Sequence, residues 1–188
     1  MSAYLGLLMR WNEKINLTAI RTPEECVTRH FAESIFLARH EQLNGQLLDI
    51  GSGAGFPGLA LKVAVPELAV TLLEPVAKKR AFLKEVVRCC GFLQVEVRPE
   101  RLRRLRDIGE ITQYNAITAR AVGSVEDLVA EASPLLKQSG RLYLWLSKEQ
   151  AHDLEKSPSC VEWLRMLDVP HSRERVILIG SLKGGCST

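Results

Sequence analysis

From Gln46 onward the chain alternates short apolar runs with longer stretches whose apolar positions recur at helical spacing. Strands are predicted near 46–50, 69–74, 93–97, 114–119 and 141–147, and helices near 57–64, 77–90, 99–107 and 124–137. Such alternation means βαβ units, a parallel sheet and right-handed crossovers. After Pro158 the pattern changes. The segment around Val161 to Leu167 and the run Arg175 to Gly180 lie close together with no helix-length spacer. The turn Val169-Pro170-His171-Ser172 between them predicts an antiparallel hairpin on the sheet edge. Ahead of the alternation, Tyr4, Leu5, Leu7, Leu8 and Trp11 share one side of a helix over residues 2–12. A second helix is predicted from Pro23 to about Arg39, with Thr22 as its N-cap and Val27, Phe31, Ile35 and Phe36 as its apolar stripe. The expected organisation is an N-terminal helical extension over 1–45 and an α/β domain over 46–188, together one compact domain. Parallel strands with a terminal hairpin are what the Rossmann-like sheet of a class I methyltransferase requires.

The stretch Leu47-Leu48-Asp49-Ile50-Gly51-Ser52-Gly53-Ala54-Gly55-Phe56-Pro57-Gly58 reads as a buried strand, a glycine turn and a helix opened by Pro57. Gly51, Gly53 and Gly55 let the backbone turn sharply and approach a ligand. The dinucleotide fingerprint G-x-G-x-x-G is not met, because its third glycine falls on Phe56. A carboxylate stands at Asp49, two residues before the turn, and a buried anion there disfavours a pyrophosphate and favours a cation. S-adenosylmethionine, with its sulfonium and α-ammonium groups, fits that charge logic. Ala69 to Glu74 is a β-rich run ending in a second acid about 20 residues past the turn, where a ribose-binding carboxylate is expected. Taken alone, Glu74 also reads as a cap for the following helix and the glycines as a plain tight turn, while His30 reads first as a packing histidine.

Composition narrows the class. No apolar run approaches the ~18–20 residues needed to span a bilayer, and no signal peptide is recognised at the start. The five cysteines are odd in number and lack C-x-x-C spacing, which argues against a zinc site or a disulfide framework. A reduced, cytoplasmic, metal-free protein is expected. The net charge of +3 is mild, but the basic residues cluster. Lys78, Lys79, Arg80, Lys84 and Arg88 fall on the helix after Glu74; Arg98, Arg101, Arg103, Arg104 and Arg106 follow, relieved by Glu100 and Asp107. Leu102 and Leu105 are expected to face the core and leave these arginines outside. The runs form either a solvated face or one phosphate-contacting surface. Sparse aromatics there point to folded RNA rather than a single-strand stacking platform.

With these residues in view, the chain resembles a known family, the bacterial 16S ribosomal RNA guanine-N7 methyltransferases (RsmG, formerly GidB). Trp11-Asn12 with Ile15-Asn16-Leu17-Thr18 is similar to the family's W-N-x-x-x-N-L-T, and Arg29 to Ser34 to its R-H-x-x-D-S. Asp49 to Gly58 resembles its D-x-G-[ST]-G-x-G-x-P-G, where Phe-Pro-Gly is more specific than the glycines. Lys78 with Phe82-Leu83, Arg98-Pro99-Glu100 and Ala119-Arg120-Ala121 match further blocks. The resemblance implies S-adenosylmethionine as cofactor and N7 of a guanine in 16S rRNA as acceptor, in the small subunit or its precursor. Cofactor contacts are implied at Gly51, Phe56, Pro99, Glu100 and Arg120; with the glycine-turn reading the expected set becomes Asp49, Gly51, Ser52, Gly53, Gly55, Phe56, Glu74, Pro99, Glu100 and Arg120. His30, Arg120 and Lys148 are expected to position the guanine and its phosphates. Without a ligand, Arg120 would be expected to pair with Asp49.

The chain departs from the family pattern at several places. Glu74-Pro75 stands where an Asp-Ser is usual, Glu33 replaces an aspartate, and Lys148 falls one position late. The family usually has further helical turns ahead of this start, which bears on RNA docking. Guanine N7 offers a lone pair and no proton, so no general base is needed, and none is evident. A monomer is expected. Two other classes fit the same glycine turn: a class I methyltransferase acting on a small molecule, and a non-enzymatic RNA- or ribosome-binding module. A nicotinamide dehydrogenase is disfavoured by Phe56 and Asp49.

Overall fold

A computed structural model describes residues 1–107, 112–120 and 123–184, with the backbone alone for Arg106 and Asp107. Ala121, the Gly185-Cys186 tail and the side chains of Arg106 and Asp107, all part of the sequence reading, lie outside the described residues. The chain opens with α1 (Ser2–Ile15). Then α2 (Pro23–Cys26) runs through a π-helical segment (Val27–Ala32) into α3 (Glu33–His40). The alternating part follows as β1 (Gln46–Ile50), α4 (Gly58–Ala64), β2 (Ala69–Leu73), α5 (Ala77–Cys89), β3 (Val95–Arg98), α6 (Leu102–Asp107), β4 (Tyr114–Arg120), α7 (Val125–Ala132) and β5 (Leu136–Ser147). It ends with α8 (Lys148–Lys156), β6 (Val161–Asp168) and β7 (Arg175–Leu182).

Among the described residues one seven-stranded sheet forms, in the order β3-β2-β1-β4-β5-β7-β6. β1 to β5 pair in parallel, and the β6–β7 hairpin joins antiparallel through β7 against β5. The expected mostly parallel sheet with an antiparallel terminal hairpin is therefore present. The strand order reverses between β1 and β4, the switch point beside which open α/β sheets bind ligands. Period-two alternation splits the strands between two cores. Leu47, Val70 and Leu72 face α1, α4 and α5; Leu48, Ile50 and Leu73 face α6, α7 and α8. The N-terminal helices share the first of these cores through Tyr4, Leu7, Leu8, Phe31 and Leu37.

Three differences from the sequence reading have physical causes. Pro57 stands just outside α4 as its N-cap, so the helix starts at Gly58. The predicted Pro23–Arg39 helix is interrupted by the π turn, which shifts the buried face; Cys26, Phe31, Glu33, Ser34 and Leu37 point inward, whereas Val27, Ile35 and Phe36 are half-buried. Helix α8 was not anticipated, because only Ala151 and Leu154 of this polar segment are buried. It is set by a capping box in which the Ser147 hydroxyl accepts from Gln150 N and the Gln150 side chain accepts from Ser147 N, both at 3.1 Å. Ser147→Ala is expected to cost about 1 kcal/mol, read as a melting temperature lower by roughly 2–4 °C.

The motif residues of the N-terminal segment are mainly structural. Asn16 ends α1 in the left-handed conformation, at φ 49°. Asn12, 2% exposed, donates to the Ile20 carbonyl at 3.0 Å and accepts from Thr18 N at 2.9 Å, closing the loop between α1 and α2. The Thr22 hydroxyl caps α2 by accepting from Glu25 N. No helix among the described residues is long and apolar enough to cross a membrane. Nor do they hold a group of three or more His, Cys, Asp or Glu placed to ligate a metal. Cys26, Cys89, Cys90 and Cys160 are free thiols.

Candidate functional site

The turn after β1 has an unusual hydrogen-bond ledger. Gly51 N and Ser52 N donate to the Leu73 carbonyl at 2.9 and 3.0 Å, and Gly55 N and Phe56 N to the Ser52 carbonyl at 2.6 and 3.2 Å. Gly53 N donates to Glu74 Oε2 at 2.9 Å, while Glu74 Oε1 accepts from Val76 N at 2.8 Å. A phosphate loop keeps its N–H groups free for the anion. Here those amides are used within the chain, and a carboxylate already occupies the turn. Glu74 is 3% exposed, so it serves first as a clamp between the glycine turn and the start of α5. Its Oε1 takes the backbone N–H just ahead of α5, but among the described residues no side chain caps that helix itself.

Asp49 is 0% exposed. Period-two alternation puts it on the face of Leu47, under α4, while Ile50 turns to the opposite face. Its Oδ1 accepts from the Thr118 hydroxyl at 2.7 Å, and Oδ2 is buried without a well-formed hydrogen bond. A Cβ on Gly58 would lie 2.8 Å from Oδ2, so glycine is what lets α4 start against this carboxylate. The expected buried anion is thus present, and the structure places Asp49 beneath the turn rather than on its surface. Burial lifts its pKa from 3.8 to about 6, with the Thr118 hydrogen bond opposing. Because the folded value lies above the unfolded one, the contribution of this group is fully favourable below pH 3.8 and is lost as pH rises through about 6. Asp49→Asn is therefore expected to gain stability relative to the parent between pH 4 and pH 7, read by thermal melts of both proteins across that range. A constant difference would count against the buried titration.

A crevice of about 380 Å³ lies at the carboxyl ends of β1 to β4, on the α6–α7 side. Ile50, Gly51, Leu73, Pro75, Glu100, Leu102 and Ser124 are among the residues lining it, with Asp127 and Glu131 from α7 and Arg101 and Arg103 from α6. Gly51 (φ 69°) opens onto it without a side chain. Glu100 reaches it half-buried, accepting from Arg98 Nε at 3.2 Å, and Pro99 beside it is exposed. The structure therefore brings Gly51 and Glu100 to one crevice, whereas Glu74, between the lining residues Leu73 and Pro75 in sequence, is not among the residues lining it. The Ser52 hydroxyl is buried and donates to the Asp49 carbonyl at 3.0 Å.

On the other face, Phe56 packs away from the crevice. Its ring stacks on Tyr4 (centroids 5.6 Å, 8° between planes) and on His30 (4.7 Å, 18°), with Phe31 edge-on at 4.9 Å. Tyr4, 0% exposed, donates its hydroxyl to the Ala54 carbonyl at 2.5 Å, so α1 holds the glycine turn directly. His30 Nε2 lies 2.7 Å from the Thr18 hydroxyl. Burial, then the Arg120, Arg29 and Arg175 charges, lower its pKa to about 4. His30 is therefore neutral at pH 7 and would meet a ligand as a hydrogen-bonding imidazole rather than as a cation. Arg120 does not pair with Asp49. Its Nη2 donates to the Arg29 carbonyl at 3.0 Å and lies 3.2 Å from Glu33 Oε2, while its Nη1 is buried with no acceptor among the described residues. Lys148, at the start of α8, pairs with Asp168 at 2.8 Å in solvent, and the structure does not bring it to the crevice.

Tyr4, Thr118 and Arg175 carry contacts that sequence reasoning did not assign. Their partners lie 50, 69 and 142 residues away, so no local pattern marks them. The basic runs come out as expected where described: Leu102 and Leu105 are buried and Arg101, Arg103 and Arg104 exposed, with Lys78, Lys84 and Arg88 exposed on α5. Arg80 is partly committed to the fold, donating to the Glu74 and Pro75 carbonyls at 3.0 and 2.6 Å.

Comparison with known proteins gives a consistent result. Residues 1–175 match the family model described as rRNA small subunit methyltransferase G. A Ribosomal RNA small subunit methyltransferase G from Chloroflexus aggregans is 47% identical over 141 residues, covering 74% of this chain and 59% of its own length. Its namesake from Xylella fastidiosa (strain M23) is 40% identical over 170 residues, covering 89% of this chain and 78% of its own. Among solved structures, a SAM dependent methyltransferase from Aquifex aeolicus superposes with a TM-score of 0.69 at 14% identity, over 89% of this chain and 97% of that one, which shows a shared fold.

Proposed function

Because the chain belongs to the rRNA small subunit methyltransferase G family, we propose that it transfers a methyl group from S-adenosylmethionine to N7 of a guanine in 16S rRNA. The observation that carries this reading is the carboxylate set into the glycine turn. With Glu74 bonded to Gly53 N and Asp49 buried beneath, the turn repels a pyrophosphate and favours a cationic donor. S-adenosylmethionine, when bound, supplies a methyl group on a cationic sulfur, and guanine N7 supplies a lone pair with no proton to remove.

The chain's own residues then bind, align and exclude water. Gly51 leaves the crevice open, and Pro99 and Glu100 border it from the end of β3. Glu74, Asp49, Ser52 and Gly55 fix the shape of the turn from behind, and Phe56 anchors it to α1 and the π segment. Arg120 offers a buried N–H donor to an anionic group of donor or acceptor. The exposed arginines of α6 and the lysines of α5 give the acceptor RNA a basic approach beside the crevice. Lys148, half-buried and paired with Asp168 of the hairpin, contributes to that approach rather than to the donor. The protein works as a monomer in the cytoplasm, on the small subunit or its precursor.

The decisive measurement is mapping of 7-methylguanosine in small-subunit rRNA from cells lacking the gene. Loss of one modified guanine, restored by the parent gene, is the expected outcome; an unchanged modification profile would overturn the assignment.

A further inference from the structure

The cluster around Glu33 joins three distant parts of the chain: the N-terminal helices, the end of β4 and the start of β7. Glu33 is 3% exposed and lies in a bidentate fork with Arg175, Oε1 to Nη2 at 2.6 Å and Oε2 to Nη1 at 2.8 Å. Paired guanidinium and carboxylate planes of this kind fix orientation as well as charge. The same Oε2 takes Arg120 Nη2 at 3.2 Å, and the Arg29 carbonyl, in the π segment, takes Nη2 at 3.0 Å. One edge of the Arg120 guanidinium is thus held, and Nη1 is buried without an acceptor among the described residues. A buried cationic N–H left unmatched is costly unless a ligand supplies the acceptor. The acid alone does not neutralise the cluster, since one carboxylate stands against Arg120 and Arg175. π segments recur at functional sites, and this one supplies the carbonyl that completes the clamp.

We propose that Glu33 and Arg175 are positioning residues that act through Arg120, presenting its free Nη1 edge to an anionic group of the ligand. The inference rests on the ligand-binding reading of Arg120 given above. The anion is either the α-carboxylate of the methyl donor or a phosphate of the acceptor nucleotide. Under this arrangement the terminal hairpin, far from the glycine turn in sequence, governs affinity for whichever anionic group Arg120 meets.

The test uses the full chain and four variants: Arg120→Met, Arg175→Met, the conservative Arg175→Lys, and the double Arg120→Met/Arg175→Met. Calorimetry with S-adenosylhomocysteine and with S-adenosylmethionine is run without RNA, and KM and kcat are measured on a 16S rRNA fragment. Thermal melts establish that each variant is folded. Arg120→Met and Arg175→Met are each expected to lose about tenfold to a hundredfold, in donor affinity if the anion is the carboxylate, or in KM for RNA if it is a phosphate. Arg175→Lys, which keeps the charge but not the fork, is expected to fall between the parent and Arg175→Met. The double variant is expected to be no worse than Arg120→Met alone, because Arg175 has nothing left to position. Additive losses would overturn the proposal, and so would an Arg175→Met protein with parental affinity, KM and kcat, while leaving the reading of Arg120 intact. Parental behaviour of Arg120→Met would remove Arg120 itself from the site, and the clamp with it. Should Arg175→Met fail to fold, the comparison is made with Arg175→Lys and Glu33→Gln in the parental and Arg120→Met backgrounds.

Discussion

Gly51→Leu is expected to abolish measurable binding of S-adenosylmethionine and S-adenosylhomocysteine while the protein stays folded. Two effects combine. Gly51 sits at φ 69°, where a residue with a Cβ costs about 1–2 kcal/mol. It also faces the crevice at the mouth of the turn, so a leucine side chain would enter the space proposed for the donor. The turn's anchor points are main-chain bonds that survive the change, because Gly51 N still reaches the Leu73 carbonyl. Loss of affinity should therefore exceed loss of stability, at roughly a hundredfold or more in Kd. Calorimetry with both ligands, next to a thermal melt, reads the two separately. Parental affinity in a folded variant would move the donor away from Gly51 and withdraw the site as drawn.

The parallel sheet and its hairpin were legible because apolar runs and helical spacing alternate cleanly from Gln46 onward. Thr22 as an N-cap and Leu102 with Leu105 as the inward pair of α6 were readable for the same local reason. What escaped was set by distance or by backbone phase. The π segment needs i to i+5 bonding, which no side-chain pattern announces, and it rotated the predicted stripe of the second helix. Helix α8 hides its signal in the Ser147-x-x-Gln150 capping box, because its apolar face is only Ala151 and Leu154. That Asp49 is a buried anion followed from its place in an apolar strand just ahead of the glycines, but its Thr118 partner, 69 residues on, did not. The strand parity of Asp49 already placed it with Leu47, on the face away from the crevice. Arg120 invited the question of a partner, but nothing local could name Glu33, 87 residues upstream, or bring in Arg175.

The contact between α1 and the glycine turn leads to the second large effect. At Gly55, φ is 90°, and a Cβ would collide with the Tyr4 hydroxyl and lie 2.9 Å from Leu59 Cδ1. Gly55→Ala is expected to destabilise the protein by about 3–4 kcal/mol, combining backbone strain with overpacking, a fall of roughly 10 °C in melting temperature. Tyr4→Phe alone removes the hydrogen bond to the Ala54 carbonyl and is expected to cost about 1 kcal/mol. Combining them should cost less than the sum, because the phenyl ring no longer carries the atom that the new methyl meets. A shortfall of about 1 kcal/mol or more in the double-mutant cycle is the expected coupling, and strict additivity would mean that the turn and α1 relax independently. Since Phe56 stacks on the same Tyr4 ring, this coupling also predicts how the N-terminal helices act on the donor site. Any change that loosens α1 loosens the turn first, and donor affinity should fall before the sheet itself melts.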